Sequence, residues 1–158
     1  MTLSIRHGEY EISDDPARLD VAAVHQWLSE SSYWANRRSL ETVERSIANS
    51  IPLGAYLGEV LVGFARVVTD RATFAWLCDV FVLAEHRGRG LGRALVDGAV
   101  SHPDLAGIQR FVLATADAHD LYRKSGFEVL VHPDRWMLRR GPTHLTPPVT
   151  SPHPQEPR

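Results

Sequence analysis

The alternation of apolar and polar residues along the chain predicts a domain that mixes strands and helices. Short apolar or alternating runs bounded by turn residues predict strands at residues 3–12, 53–57, 60–69, 73–83 and 110–115, and a final hairpin of 127–131 with 135–139. Helical spacing predicts helices over 16–30, from a capping Ser39 to a point before Pro52, from 91 to about 102, and from a capping Asp117 to Gly126. The order β-α-α-β-β-β-α-β-α-β-β then predicts a mixed sheet with helices on both faces.

The composition changes near residue 140. Six of the 17 residues from Pro142 to Arg158 are proline, and the only aliphatic side chains of size there are Leu145 and Val149. Such a segment cannot bury enough apolar surface to offset the entropy of ordering it. We therefore predict one folded domain at residues 1–140 and a proline-rich, disordered tail at 141–158.

The bulk properties favour an ordinary globular protein. The formal charge of −2 argues against general nucleic-acid binding, and no apolar stretch reaches the roughly 18 residues of a membrane span. Cys78 is the only cysteine, which excludes an internal disulfide and a multi-cysteine metal site. No signal peptide is visible. We expect a cytoplasmic protein with no nucleic-acid or membrane partner and no metal, and the sequence leaves open whether it forms a homodimer.

A glycine- and arginine-rich stretch lies between a predicted strand and a predicted helix. It reads Glu85-His86-Arg87-Gly88-Arg89-Gly90-Leu91-Gly92-Arg93. Glycine lets the backbone approach a ligand closely, and the free N–H groups at a helix start attract anions. The arginines add positive charge, so the stretch predicts a phosphate-binding loop. The dinucleotide-binding fingerprint does not fit, because the sixth position counted from Gly88 is Arg93 rather than glycine.

The spacing Arg87-x-x-Gly90-x-Gly92 resembles motif A of the GNAT superfamily of acetyl-CoA-dependent N-acetyltransferases. The resemblance covers roughly residues 3–139. It implies a single α/β (α+β) domain with a mixed, mostly antiparallel central sheet of about seven strands and helices on both faces. It also implies acetyl-CoA as co-substrate, with its pyrophosphate on the loop and its pantetheine arm along the preceding strand. The implied coenzyme-binding residues are Val80, Phe81, Val82, Arg87, Gly88, Arg89, Gly90, Leu91, Gly92 and Arg93.

A second segment, Tyr122-Arg123-Lys124-Ser125-Gly126-Phe127, resembles the Tyr-x-x-x-Gly-Phe signature near the end of GNAT domains. The resemblance implies that Tyr122 protonates the departing thiolate. The unperturbed pKa values of tyrosine and thiol, about 10 and 8.5, are close enough for that transfer. The alternative is a half-buried aromatic ring that packs its helix. Thr115 stands where many members have asparagine, and its hydroxyl is expected to contact the coenzyme.

The base that accepts a proton from the amine has no signature, and Asp79 is the most conspicuous candidate. It is a carboxylate inside an apolar run, and burial raises the pKa of a carboxylate toward neutrality. Strand alternation places Asp79 on the face opposite Cys78 unless a bulge intervenes. The alternative is a buried aspartate bonded to backbone or to an arginine. His119 is a weaker candidate for the base, and Cys78 fits a small core thiol better than a nucleophile.

Tyr33, Trp34, Arg37 and Arg38 lie between the first two predicted helices, where the family builds its acceptor site. Aromatic rings beside arginines suit a substrate ring or carboxylate, and the alternative is a loop with two anchoring aromatic residues. The sequence thus predicts an acyltransferase, an N-acetyltransferase that moves an acetyl group from acetyl-CoA to a primary amine of an unidentified small molecule or peptide by direct attack. The alternatives are a non-catalytic acyl-CoA-binding sensor or regulatory module, and a partner-binding domain.

Overall fold

The computed structural model describes residues 2–31 and 38–141, and the chain divides into two units, Met1–Glu128 and Val129–Arg158. Six strands lie within the described part of the first unit: β1 Ser4–His7, β2 Tyr10–Ser13, β3 Ile51–Leu57, β4 Val60–Thr69, β5 Phe74–Val82 and β6 Arg110–Val112. Its α-helices there are α1 Val21–Gln26, α2 Leu40–Ala48, α3 Leu91–Val100 and α4 His119–Arg123. No helix of the described residues has the length and apolar character needed to cross a membrane.

The six strands form one sheet in chain order, from β1 to β6. Neighbouring strands are antiparallel except β5 and β6, which are parallel. Parallel neighbours need a long crossover connection, and here the connection contains α3. The predicted mixed, mostly antiparallel sheet is therefore confirmed, with six strands in place of about seven.

Helices cover both faces of the sheet, as predicted. On one face, α3 packs Leu91, Leu95, Val96 and Ala99 into the larger core. The close approach of α3 to the sheet depends on Gly98, since a β-carbon there would lie 3.1 Å from a methyl carbon of Ile12. On the other face, a second core contains side chains from α1, from the π-helical turn Trp27–Ser31, from α2 and from the sheet: Val24, Leu28, Val43, Tyr56, Leu61 and Phe64.

The helix predicted over 16–30 is divided into three parts. A 3-10 turn at Pro16–Arg18 comes first, then α1, then the π-helical turn. The division follows from two capping aspartates, because Asp15 accepts the Ala17 N–H and Asp20 accepts the Ala23 N–H, each at 3.0 Å. The cap predicted for α2 is confirmed, since the Ser39 hydroxyl accepts the Thr42 N–H at 3.2 Å.

Two expectations near the C-terminal end are wrong. The Asp117 side chain does not cap α4, whose N-cap is Ala118; instead the Thr115 hydroxyl accepts the Ala118 N–H at 3.0 Å. The final hairpin does not form, since neither 127–131 nor 135–139 is a strand, a 3-10 turn at Pro133–Arg135 lies between them, and Val131, Met137 and Leu138 are exposed rather than packed. The tail from Pro142 onward lies outside the described residues, so its predicted disorder stays a prediction.

Candidate functional site

The glycine-rich loop enters α3 through two left-handed residues. Gly88 has φ of 74° and Gly90, the N-cap, has φ of 77°, conformations that residues with a β-carbon resist. The first helical hydrogen bond runs from the Ala94 N–H to the Gly90 carbonyl oxygen at 2.9 Å. The N–H groups of residues 91–93 therefore have no partner inside the helix, and the positive end of the helix dipole lies behind them.

A cavity of about 670 Å³ opens at this helix start. Nine of the residues predicted to bind the coenzyme line it: Val80, Phe81, Val82, Arg87, Gly88, Gly90, Leu91, Gly92 and Arg93. Arg89 and Thr115 do not. The cavity also includes three residues that the sequence reasoning missed, His86, Leu121 and Lys124. The i, i+3 spacing of Leu121 and Lys124 on one face of the predicted fourth helix was a usable signal for two of them.

The side chains that line the cavity give it positive charge and no carboxylate. The Arg87 Nε donates to the carbonyl oxygen of Val82 at 2.9 Å, and its guanidinium lies 5.8 Å from the centre of the Phe81 ring. Arg93 forms an exposed ion pair with Asp97 at 3.3 Å, one helical turn along α3. Lys124 adds a third cation from α4. This charge and the free N–H groups of α3 suit a phosphate or pyrophosphate.

The N-terminal hairpin of β1 and β2 holds the glycine-rich loop from outside the cavity. The His7 Nε2 donates to the carbonyl oxygen of Arg89 at 2.9 Å, and the Tyr10 hydroxyl is hydrogen-bonded to His86 Nδ1 at 3.1 Å. Arg89 forms an ion pair with Glu9 at 3.0 Å. This contact explains why Arg89 does not line the cavity. The single strand predicted over 3–12, with a turn suggested at His7-Gly8, is two strands, β1 and β2. Their contacts with the loop were not predicted because the partners lie 76 and 82 positions away along the chain.

A gap opens between β5 and β6 beside the cavity. The two strands pair only over residues 74–76 and 110–112 within the described chain. The residues of β5 that follow, Val80 to Val82, line the cavity instead. The backbone there is not paired with β6, so an extended ligand can pair with it as another strand would.

Tyr122 lies in α4 next to the cavity wall formed by Leu121 and Lys124, but it does not itself line the cavity. Its ring is half-buried and packs edge-on against Phe127, with the ring centres 6.0 Å apart. Burial raises the pKa of the Tyr122 hydroxyl, with smaller upward effects from Asp117 and Cys78. The hydroxyl is therefore protonated at neutral pH, as a proton donor must be.

Asp79 is buried and bound by two arginines. Arg38 Nη1 lies 2.9 Å from both carboxylate oxygens, and Arg66 Nε lies 2.9 Å from Oδ2. Both oxygens of the carboxylate are therefore engaged by guanidinium donors. These contacts favour the alternative of a structural ion pair over a general base. The bulge that the sequence left open is present: the register of β4 with β5 shifts between Phe64 and Arg66, and Asp79 has φ of 55°.

The remaining candidates have limited chemical roles. Cys78 is half-buried, and burial raises the pKa of its thiol to about 11, so it is a poor nucleophile at neutral pH. His119 begins α4 and is exposed. The Thr115 hydroxyl accepts the Ala118 N–H and can still donate its own hydrogen, so its predicted contact with the coenzyme stays a prediction. Across the described residues, no group of three or more His, Cys, Asp or Glu side chains is placed to hold a metal ion.

Tyr33, Trp34 and Arg37 lie outside the described residues, so their predicted acceptor role stays a prediction. The π-helical turn that precedes them is described, and the indole of its Trp27 stacks on the Phe81 ring, with the ring centres 5.4 Å apart. This stacking places the end of the first helical segment against the strand that lines the cavity.

Comparison with known proteins agrees with this geometry. The model of the Acetyltransferase (GNAT) family matches residues 21–127. A Gibberella zeae protein described as an acetyltransferase is 31% identical over 140 residues, which is 75% of this chain and 78% of that protein. A crystal structure of a Xanthomonas campestris pv. campestris protein assigned to the GNAT family has a TM-score of 0.80 and 46% identity, covering 84% of this chain and 94% of that one. An acetyltransferase-like Clostridium acetobutylicum structure with acetyl-CoA shares the fold, with a TM-score of 0.61 at 13% identity over 83% and 94% of the two chains. The chain therefore belongs to the GNAT family of acetyltransferases.

Proposed function

We propose that the protein is an N-acetyltransferase that uses acetyl-CoA to acetylate a primary amine by direct attack. The observation that carries the proposal is the cavity at the start of α3, where unpartnered N–H groups meet Arg87, Arg93 and Lys124. These groups suit the coenzyme pyrophosphate. The gap beside Val80–Val82 suits the pantetheine arm, whose amides can pair with the exposed backbone of β5. The fold neighbour from Clostridium acetobutylicum, solved with acetyl-CoA, supports the same ligand.

The proposed chemistry is one displacement at the thioester carbon. The amine nitrogen forms a bond to the acetyl carbon, and the bond from that carbon to sulfur breaks. Tyr122 gives its proton to the leaving thiolate, and its raised pKa keeps that proton in place at neutral pH. The nitrogen loses a proton to solvent, and Asp79 acts as an anchor for two arginines rather than as the base. Holding both reactants accounts for most of the acceleration.

Two measurements on the purified chain test the proposal. Acetyl-CoA should raise the melting temperature, because a ligand that binds only the folded state stabilises it by mass action. Release of the coenzyme thiol should then depend on an amine drawn from panels of small amines, aminoglycosides, amino acids and peptides. Stabilisation by acetyl-CoA without turnover on any panel would indicate a coenzyme sensor, and the absence of stabilisation would overturn the assignment of the cavity.

A further inference from the structure

The cluster of Arg38, Arg66 and Asp79 contains two positive charges and one negative charge. Arg66 and Asp79 are buried, and the side chain of Arg38 is 29% exposed. Two guanidiniums share a single carboxylate, so the described cluster has a net charge of +1. An incompletely compensated charge in a partly buried position is costly unless another group pairs with it.

No acid of the described chain other than Asp79 compensates this charge. Among the described residues, the ion pairs of both arginines go to Asp79 alone, and the other contact of Arg66 is a 3.5 Å approach of Nη1 to the carbonyl oxygen of Ser46. The stretch that precedes Arg38, residues 31–37, contains no aspartate or glutamate and adds Arg37. An anion from outside the chain is therefore favoured at this position.

Arg38 is positioned to receive such an anion. Its contacts with Asp79 use Nη1, which leaves Nη2 and Nε without a partner among the described residues. Its carbonyl oxygen accepts hydrogen bonds from His25 Nε2 at 3.0 Å and from the Ser29 hydroxyl at 3.2 Å. The residue is thus fixed at its main chain and at one guanidinium nitrogen. The free edge of a guanidinium matches the two oxygens of a carboxylate.

The cluster lies beside the proposed reaction centre. Asp79 directly precedes Val80, which lines the coenzyme cavity. The bulge in β5 lets Asp79 reach Arg66, on the face of the sheet where Phe81 stacks on Trp27. Through Asp79, Arg38 therefore lies against the strand that leads into the coenzyme cavity.

We propose that Arg38, held by Asp79 and backed by Arg66, binds a carboxylate of the acceptor, and that the acceptors are amines that also carry a carboxylate, such as amino acids. The inference rests on the proposed acetyl transfer. It makes Arg38 a specificity-determining residue, whose loss changes the choice among amines more than it changes coenzyme binding.

The test compares three matched acceptors: an amino acid, its carboxamide, and the amine that lacks the carboxyl group. The wild-type kcat/KM should favour the amino acid over its carboxamide by at least about tenfold, as expected for a charge-assisted hydrogen bond. Arg38→Gln should lower kcat/KM for the amino acid by about 10- to 100-fold and abolish the preference. Arg38→Lys, which keeps the charge but not the fork of donors, should give a kcat/KM and a preference between those of the wild type and of Arg38→Gln. The preference is compared between variants, so differences in basicity among the amines cancel.

Arg45→Gln is the matched control. Arg45 is an exposed arginine on α2 that pairs with Glu41, and its loss should leave the preference unchanged. Arg38→Gln leaves Asp79 paired with Arg66, so the cluster stays neutral. If that variant still does not fold, Arg38→Lys, which keeps a cation beside Asp79 but not the fork of donors, tests the same point by a weakened preference for the amino acid. Equal use of the three acceptors, or a preference retained in the variants, would overturn this inference and leave acetyl transfer standing. Absence of turnover with every amine, despite stabilisation by acetyl-CoA, would overturn the proposed function and the inference together.

Discussion

The Nε2 of His7 lies 2.9 Å from the carbonyl oxygen of Arg89, which ties the N-terminal hairpin to the loop that begins α3. The contact lies one residue before Gly90, whose left-handed backbone sets the direction of the helix start. The hairpin therefore helps to hold the proposed pyrophosphate-binding N–H groups in place.

His7→Ala should weaken coenzyme A binding, because the loop loses a hydrogen bond that fixes it. A loss of about 1 kcal/mol corresponds to roughly a fivefold rise in Kd. Calorimetric titration with coenzyme A measures it. His7→Gln, whose side-chain amide can also donate to the Arg89 carbonyl, should restore part of the affinity. An unchanged Kd in His7→Ala would show that the loop keeps its conformation without the hairpin.

Gly90→Ala should abolish most coenzyme binding. Its φ of 77° is strained for alanine, and the new β-carbon would lie 3.2 Å from His7 Nε2. Gly107→Ala is the matched control, since Gly107 has φ of 88° with open space around it and lies away from the cavity. Both variants should lose about 1–2 kcal/mol of unfolding free energy. Only Gly90→Ala should lose the rise in melting temperature on adding acetyl-CoA, and equal behaviour of the two would contradict the placement of the site.

Tyr122→Phe should lower kcat by about 10²–10⁴-fold with little change in the Kd for acetyl-CoA, because it removes the proton donor and keeps the ring packed on Phe127. Single-turnover measurements with an efficient acceptor should confirm that chemistry limits the rate. Tyr56→Phe is the control, as Tyr56 is buried in the second core and its hydroxyl has no hydrogen-bond partner among the described residues. Full activity in Tyr122→Phe would exclude Tyr122 as the acid.

The Cys78 thiol should lower the free energy of unfolding at alkaline pH. Its thiol pKa is raised by burial to about 11, whereas the unfolded chain has a value near 9.0. Between these values the unfolded state releases its proton and the folded state keeps it, so stability that is complete below about pH 9 is lost as the pH rises through 11. The loss should reach about 2 kcal/mol by pH 10.5. Urea unfolding of wild type and Cys78→Ala from pH 8 to 10.5 measures it, because both chains share their tyrosine titrations. If the unfolding free energies of the two chains changed with pH in parallel, the raised pKa of Cys78 would be contradicted.

The loop and α3 could be predicted from the sequence because the residues that form them are adjacent in the chain. Glycines at 88, 90 and 92 allow the turn, and apolar residues at Leu91, Ala94 and Leu95 form the buried face of the helix that follows. The prediction of the final hairpin failed because it also used only local composition. Its apolar runs have strand-like composition, but Pro133 starts a 3-10 turn between them. Strand propensity depends on packing against neighbours, which composition does not report.

The role of Asp79 could not be read from the sequence for a different reason. Its two partners come from Arg38, 41 positions earlier, and Arg66, 13 positions earlier. The bulge that lets it meet them arises from the register of two strands. An acidic residue in an apolar run is compatible with a raised pKa or with an ion pair, and only the three-dimensional neighbours distinguish these.

The parallel ladder of β5 with β6 joins only three residue pairs within the described chain. Beyond Trp76, the backbone amides of β5 that face β6 have no strand to shield them, and their hydrogens should exchange with solvent faster than those of the antiparallel ladders. An open strand edge is also a template for association with another chain. A coenzyme arm that occupies this gap would slow the exchange and cover the edge. The resistance of the protein to proteolysis and aggregation would then rise and fall with the supply of acetyl-CoA.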